Sequence, residues 1–391
     1  MPRKSLEIPV VPEVLVWARE SVGLSPIDVS KKLNVSEDLV YRWESGDEHP
    51  TLKKLEKLAS IYKRSLAVFF LPSPPIEPPL PKDFRSFPKE KENPLSPKIL
   101  LSIRNARRLQ SLAMELAKEV NREIVSKVRR VNISDDPESI AKRIRHELDI
   151  EIETQIKWRD ENQALNEWKK AVEKQGILVF QMSMPLEEIR AFSLTDKEPF
   201  AIVLNSKDST NAGIFSLFHE YAHILLGYGG LCNNMEEPTE HHDGGEKAEI
   251  FCNHFAGALL VPAEPLLKRT QHIREQFRWV NGSFYPIDEI LRKNARYFKV
   301  SQEVVLRRMV ICDLVEKGVY ERKREEWKTK EWKQKKTGFP VDPAKKCIRE
   351  KGESFVTLTL EAYRQERITY KDVADYLSTR TKHIPKIEQL V

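Results

Sequence analysis

The sequence has little cysteine and no long apolar run, and both shortages exclude classes of protein. Its 391 residues contain four cysteines, none in a Cys-x-x-Cys pair, which argues against a disulfide-stapled scaffold and favours reduced thiols. No uninterrupted apolar stretch approaches the length of a membrane span. The opening residues, Met-Pro-Arg-Lys-Ser-Leu-Glu, lack the apolar centre of a signal peptide. We therefore expect a cytoplasmic protein without a membrane partner.

A large excess of charge of one sign is also lacking. The chain has 65 basic and 59 acidic residues, which gives a net charge of +6 and no strong signal for a polyanion partner. The apolar share of 40% is sufficient for packed cores, and the length fits two or three domains.

What the chain does contain is a His-Glu-x-x-His sequence inside an apolar segment. Residues 214–226 lack glycine and proline and are mostly apolar, as expected of a buried helix. On a helix, His219 and His223 share a face, so both imidazoles can bind one Zn²⁺. Glu220 lies one position further round, where a carboxylate can take a proton from an attacking water. The sequence therefore predicts a zinc site with Glu220 as general base.

A catalytic zinc site needs a third protein ligand and an open position. A second apolar segment follows at 246–262, and Glu249 lies at its polar start, where the carboxylate can turn towards the first helix. We predict Glu249 as the third ligand. Three other side chains remain alternatives for this role, namely Asp243, Glu246 and His254.

The connection between the two apolar segments is polar and contains two adjacent glycines, Gly244 and Gly245, which predicts a mobile loop. This loop carries His241 and His242. Either these histidines are exposed loop residues, or they line the cleft and stabilise an oxyanion, for which His242 is the candidate.

Three β-rich runs precede the His-Glu-x-x-His segment and predict a small sheet. They are residues 177–182, 189–194 and 200–205, separated by turn-forming residues. The edge of such a sheet can hold a peptide in extended form through main-chain hydrogen bonds. We take the run 200–205 as the substrate-side strand and Asn205 as a candidate on the substrate side of the site.

Residues 13–71 have the pattern of a small helical bundle. Ser25 and Ser36 are placed to cap two short helices separated by a turn, which is the helix-turn-helix pattern. Basic and acidic residues nearly balance here, so two interpretations remain open: sequence-specific DNA binding, or contact with a partner protein. The candidate DNA contacts are Tyr41 and Arg42 for base edges, and Ser25, Lys31, Lys32 and Lys53 for phosphates.

These motifs resemble two known families. The segments Ile-Phe-Ser-Leu-Phe-His-Glu-Tyr-Ala-His-Ile-Leu-Leu-Gly and Glu-Ile-Phe-Cys-Asn-His-Phe-Ala-Gly-Ala-Leu-Leu-Val-Pro are similar to the ImmA/IrrE zinc metallopeptidases, and residues 24–59 resemble Xre/Cro helix-turn-helix modules. The resemblance implies zinc ligands at His219, His223 and Glu249, a general base at Glu220, and a helix-turn-helix repressor as substrate. One departure is visible, because the arginine that often precedes the first helix in that family is absent here.

The expected fold is α+β and mostly helical. An N-terminal all-α helix-turn-helix domain is followed by a zincin-like metallopeptidase domain with a small β-sheet and by additional C-terminal helices. Residues 96–131, basic and apolar in alternation, are predicted to be helical. The predicted boundaries are 1–72 for the helix-turn-helix domain, 73–95 for a Pro-rich linker, 96–175 for a helical segment, 176–312 for the peptidase core and 313–391 for the C-terminal helices.

The leading functional hypothesis is a regulator that hydrolyses a peptide bond in a partner transcriptional repressor, using Zn²⁺, and that binds DNA through its N-terminal module. The alternative is a DNA-binding regulator, including a toxin–antitoxin component, whose zinc site is structural or sensory and cuts no bond. Glu220 favours hydrolysis, because a purely structural site needs no carboxylate beside its ligands.

Overall fold

The chain forms two compact units in its computed structural model. The described residues of the first unit are 6–80 and 95–105, and those of the second are 81–83 and the described residues from 106 onwards. The structure describes residues 6–83, 95–227, 230–232, 244–270, 287–331 and 341–391.

The first unit is a bundle of short helices around one apolar core. Ser25 caps the second helix in a reciprocal capping box with Asp28, and Ser36 caps the third, so both predicted helix starts are confirmed. Trp43 and Phe69 are buried in the core that the helices share. The helices are α1 (Pro12–Glu20), α2 (Pro26–Leu33), α3 (Glu37–Ser45) and α4 (Leu52–Tyr62), followed by a 3₁₀ turn at Leu66–Phe70.

The next helix, α5 (Pro97–Glu119), is shorter than the predicted helix over 96–131. Asn121 adopts a left-handed backbone with φ of 51°. The N–H of Arg122 donates to the carbonyl of Ala117 at 2.8 Å, which closes the helix end. The prediction was wrong beyond this point, because the β-branched residues that follow favour a non-helical backbone.

The second unit combines a five-stranded sheet with helices, which confirms the α+β, mostly helical fold. Its strands are β1 (Lys82–Asp83), β2 (Leu178–Met182), β3 (Ala191–Leu194), β4 (Ala201–Asn205) and β5 (Gly230–Cys232). Its further helices are α6 (Pro137–Glu147), α7 (Ile152–Gln155), α8 (Glu161–Glu173), α9 (Thr210–Leu226), α10 (Gly244–Leu260), α11 (Ala263–Thr270), α12 (Ile287–Phe298), α13 (Gln302–Ile311), α14 (Lys317–Glu331), α15 (Pro343–Lys351), α16 (Glu353–Arg364), α17 (Tyr370–Tyr376) and α18 (Ile384–Glu388), with a 3₁₀ turn at Thr381–His383.

The sheet has the strand order β1-β5-β3-β4-β2. β4 pairs in parallel with β2 and antiparallel with β3, so the three predicted strands are confirmed to within two residues. Both sides of β4 are therefore occupied within the sheet. The prediction that residues 200–205 hold a substrate by edge pairing is wrong, because an interior strand has no free main-chain groups to offer.

The core of the second unit is built around α8, α9 and α10. Trp168 on α8 contacts Trp158 and Phe218 edge to face, with ring centroids 5.2 and 4.8 Å apart. Because Phe218 precedes His219, this aromatic cluster fixes the position of the first histidine of the motif. None of the described helices is by itself long and apolar enough to cross a membrane. Among them, the pair Glu246–Leu260 and Ala263–Thr270 has sufficient length and apolar character when taken together, but the two helices are bent by 61° relative to each other.

The break between α15 and α16 is held by two buried charges on α8. Gly352 is the N-cap of α16 and no side chain of its own segment caps the helix. Glu173 accepts a hydrogen bond from the N–H of Ser354 at 3.4 Å. Lys169 donates to the carbonyl of Arg349 at 2.7 Å, at the end of α15. Burial raises the pKa of Glu173 and lowers that of Lys169, and each charge offsets this effect on the other. α8 thus supplies an anion to one helix start and a cation to one helix end.

Gly352→Ala is expected to destabilise the protein by about 3 kcal/mol. Gly352 has φ of 77°, and an added Cβ would lie 2.6 Å from the backbone carbonyl oxygen of Val179 and 2.2 Å from a carboxylate oxygen of Glu173. The carbonyl belongs to β2 and cannot move without disturbing the sheet. Thermal and urea unfolding of the full chain should show the loss. The matched control is Gly318→Ala, since an added Cβ there meets no atom within 4 Å; equal stability of the two variants would contradict the prediction.

Candidate metal centre

Two neighbouring helices bring three metal-binding side chains together. Nε2 of His219 lies 3.3 Å from one carboxylate oxygen of Glu249, and Nε2 of His223 lies 3.1 Å from the other. The two Nε2 atoms are 3.2 Å apart. All three residues are buried, and one ligand atom from each lies within 4.8 Å of the other two. Two imidazoles and a carboxylate form a donor set that fits Zn²⁺.

The local sequence explains why these ligands lie in the interior. Ser209 caps α9 by accepting the N–H of Ala212 at 3.2 Å, and Gly227 ends the helix in a left-handed conformation with φ of 80°. Between them, every residue from Ala212 to Leu225 is buried. The Glu249 carboxylate lies against the imidazoles of both histidines. Burial opposes its ionisation, but the two imidazoles outweigh this effect and hold its pKa well below the ordinary value.

Asn253 orients the first histidine. Its amide oxygen lies 3.1 Å from Nδ1 of His219. Because an amide oxygen can only accept, this contact favours the tautomer that has the proton on Nδ1 and leaves Nε2 free to bind a metal ion. This role of Asn253 was not predicted from the sequence. The available signal was its spacing, since Asn253 follows Glu249 by four residues and so lies on the same face of α10.

Asn253→Ala is expected to lower zinc affinity about 10- to 100-fold, because the imidazole of His219 loses the acceptor that fixes its tautomer and orientation. Competition against a chromogenic chelator would measure the change. Asn253→Asp keeps an acceptor oxygen at the same place and should retain most of the affinity. If Asn253→Ala binds zinc as tightly as the wild type, the amide does not orient the ligand.

Glu220 is a fully buried carboxylate beside the cluster. Among the described residues, no donor approaches either of its oxygens in normal hydrogen-bond geometry. Burial raises the pKa of Glu220, while His223, His219 and the hydroxyl of Ser193 on β3 favour the charged form. A buried carboxylate with unused acceptor capacity is costly in a purely structural role. It is instead suited to accept a proton from a molecule bound at the centre.

The other candidates for the third ligand do not lie in the cluster where the structure describes them. His254 lies on α10, but its Nε2 is 2.7 Å from a carboxylate oxygen of Glu138, which also binds Arg308. It is therefore committed outside the cluster. Glu246 lies in the first turn of α10, also outside the cluster. Asp243, His241 and His242 lie outside the described residues, so the oxyanion role of His242 stays a prediction, and α10 itself begins two residues earlier than expected, at Gly244.

Asn205, which we predicted on the substrate side of the site, is instead a buried residue. Its amide oxygen accepts the N–H groups of Met184 and Lys207 at 3.2 and 3.1 Å. Its amide nitrogen donates to the carbonyls of Met184 and Ile189 at 3.3 and 2.8 Å. The hydrogen-bonding capacity of the side chain is thus fully used in bracing the connection between β2 and β3.

The candidate DNA contacts of the first unit also differ from one another. The hydroxyl of Ser25 is engaged with Asp28 in the helix cap. Arg42 is paired with Asp38 at 3.0 Å and with Glu48, so its guanidinium would have to leave two carboxylates to reach a base. The remaining candidates are exposed: Tyr41, Lys31, Lys32 and Lys53.

Comparison with known protein families identifies two domains. Residues 172–310 match the model of the IrrE N-terminal-like domain, a peptidase family, and residues 15–69 match a helix-turn-helix model. No curated protein and no solved structure shows a significant match to the chain. The chain thus carries an Xre-type helix-turn-helix domain followed by an ImmA/IrrE-type domain with a metallopeptidase-like fold, as the motifs predicted.

Proposed function

We propose that this protein is a helix-turn-helix regulator with zinc metallopeptidase activity, which hydrolyses a peptide bond in a partner protein. The observation that carries the proposal is Glu220, a buried carboxylate beside the His-His-Glu group whose oxygens accept no hydrogen bond of normal geometry from the described residues. A structural or sensory zinc site would gain nothing from it. A hydrolase needs a proton acceptor at this position.

In the proposed mechanism, His219, His223 and Glu249 hold Zn²⁺ in the second unit. When bound, the ion supplies a Lewis acid that polarises the scissile carbonyl. Glu220 accepts the proton of the attacking water and delivers it to the leaving amine, which is the role that its unused acceptor capacity supports. Asn253 keeps Nε2 of His219 available through the hydrogen bond to Nδ1. The surrounding apolar residues of α9 and α10 keep bulk water away from these charges.

The proposed substrate is a transcriptional repressor that itself contains a helix-turn-helix module. The presence of both domain types in one chain supports this choice, since a DNA-binding module can bring the peptidase to a repressor at its operator. The substrate assignment rests on the ImmA/IrrE resemblance rather than on the geometry of the centre.

The test compares protein N-termini in cells that express the full chain or its Glu220→Gln variant. We expect one new N-terminus inside a helix-turn-helix repressor with the wild type, and none with the variant. The purified chain should then cut that repressor, lose the activity on treatment with a chelator, and regain it with Zn²⁺. Identical N-termini in the two cultures would contradict peptidase activity and favour the regulator with a structural or sensory zinc site.

DNA binding by the first unit is proposed on the helix-turn-helix match and on the exposure of Tyr41 at 52%. Tyr41→Ala on α3 is expected to weaken binding to a selected operator about tenfold. Gel-shift titration measures the change, and Phe70→Ala, an equally exposed aromatic outside the helix pair, is the control. If selection from random DNA yields no bound sequence with the wild type, the unit contacts protein instead.

A further inference from the structure

A second cleft lies in the second unit, away from the metal centre. It has a volume of about 730 Å³ and is lined by the starts of α8, α9 and α13, by the outer face of α12 and by Trp327 of α14. Ser209, at the start of α9, is separated from His219 by roughly 15 Å along the helix axis. The volume lies within the usual range for small-molecule sites, roughly 300–1,000 Å³.

Four basic side chains line this cleft, namely Arg159, Arg292, Arg296 and Lys299. Arg292 and Arg296 are four residues apart on α12, so they lie on one face, and both are exposed. Neither forms an ion pair with any described residue. The nearby Glu289 pairs with Lys293 at 2.8 Å. Both arginines thus line the cleft, and no ion pair with a described residue holds either guanidinium group.

The helix starts add to the positive potential. Asp160, Ser209 and Ser301 are the N-caps of α8, α9 and α13, and each satisfies only part of the first turn. The remaining N–H groups and the helix dipoles favour an anion in front of them. This contribution would not define a site by itself, but here three helix starts lie in the same cleft as the arginine pair.

The three acidic residues in the lining do not cancel this field. Asp160 accepts the N–H of Gln163 at 2.9 Å and pairs with Arg159. Glu303 accepts a hydrogen bond from the hydroxyl of Tyr320 at 3.2 Å. Glu161, the third acidic residue of the lining, is exposed to solvent. With four basic and three acidic side chains, the lining keeps a net charge of +1 (4 − 3). The bounded volume of the cleft favours a compact anion over a nucleic acid strand.

We propose that this cleft binds a phosphate-bearing small molecule of nucleotide size. Arg292 and Arg296 bind its phosphates through their planar donor forks, which match phosphate geometry. Trp327 provides an aromatic surface for the base. The site is separate from the metal centre and does not depend on the proposed peptidase activity.

The experiment titrates the full chain with ATP, with pyrophosphate and with adenosine, and follows heat of binding and thermal stability. ATP and pyrophosphate should bind and raise the melting temperature, and adenosine should not. Arg292→Gln and Arg296→Gln should each weaken ATP binding about tenfold. Lys293→Gln is the matched control, because it removes the same charge from the same helix outside the cleft. The His219→Ala variant, titrated in parallel, should bind ATP as the wild type does, which separates the cleft from the metal centre.

Several outcomes would overturn the proposal. One is no binding of ATP or pyrophosphate at millimolar concentration. Another is equal weakening by Lys293→Gln, which would indicate unspecific attraction. Loss of binding in His219→Ala would place the phosphate at the metal centre. Tighter binding of a short single-stranded oligonucleotide than of ATP, lost in the two arginine variants, would replace the small molecule with a nucleic acid.

Discussion

Glu220→Gln should abolish peptide hydrolysis and leave zinc binding unchanged. The amide has the size of the carboxylate, so the packing of α9 is preserved, but it cannot accept a proton at neutral pH. General-base contributions are typically 10²- to 10⁴-fold, and we expect a loss of about three orders of magnitude in kcat. Elemental analysis and cleavage of the identified repressor, measured on the same preparation, provide both readouts.

The matched control for this substitution is Glu246→Gln. Glu246 lies in the first turn of α10, close in sequence to the ligand Glu249 but outside the cluster. This variant should retain both zinc and activity. Cleavage at the wild-type rate by Glu220→Gln would refute the general-base assignment. Loss of zinc from Glu246→Gln would instead reopen the choice of the third ligand.

Glu249→Ala should leave the purified protein almost free of zinc, whereas we expect the wild type to carry about one ion per chain. The carboxylate contacts Nε2 of both histidines, so its removal takes away one of three ligands and the only negative charge among them. The two neutral imidazoles that remain form a weak site. Activity should be lost with the metal, and added Zn²⁺ should restore it only at concentrations far above those that saturate the wild type.

His254→Ala is the control for the metal-binding prediction. His254 is on the same helix, five residues after Glu249, and is engaged with Glu138 rather than with the cluster. Its zinc content should equal that of the wild type. Full zinc occupancy in Glu249→Ala would move the third ligand to another side chain, and zinc loss in His254→Ala would identify which one.

The grouping of His219, His223 and Glu249 was predictable because its parts are local in sequence. The spacing of His219 and His223 is that of a helical repeat, and Glu249 lies at the polar start of the second apolar segment, 246–262. Two short sequence patterns were therefore sufficient. The helix caps at Ser25 and Ser36 were predictable for the same reason, since a cap depends on three or four consecutive residues.

The predictions that proved wrong depend on contacts between residues that are distant in the sequence. Strand order depends on which edges meet in three dimensions, so the interior position of β4 and the bracing role of Asn205 were not visible in the runs themselves. α5 ends shortly before Asn121, which has a left-handed backbone conformation. Glycine is the usual sequence signal for such a helix end, and it is not present at this position. Likewise, the residues around Gly352 do not indicate which side chain caps α16, because the capping residue, Glu173, lies on a helix far earlier in the chain.

Lys169 and Glu173 on α8 also limit where the chain can be truncated to give a folded fragment. The stretch that matches the peptidase family, 172–310, begins inside α8, so a fragment with those limits would lack Trp168, which packs against the residue before His219. It would keep Glu173 but would lack α16, whose first turn this carboxylate caps. A fragment that folds alone must therefore include at least all of α8, α16 and α6, whose Arg145 donates to the carbonyl of Leu259 on α10. A recombinant protein trimmed to the family limits should be recovered as aggregate.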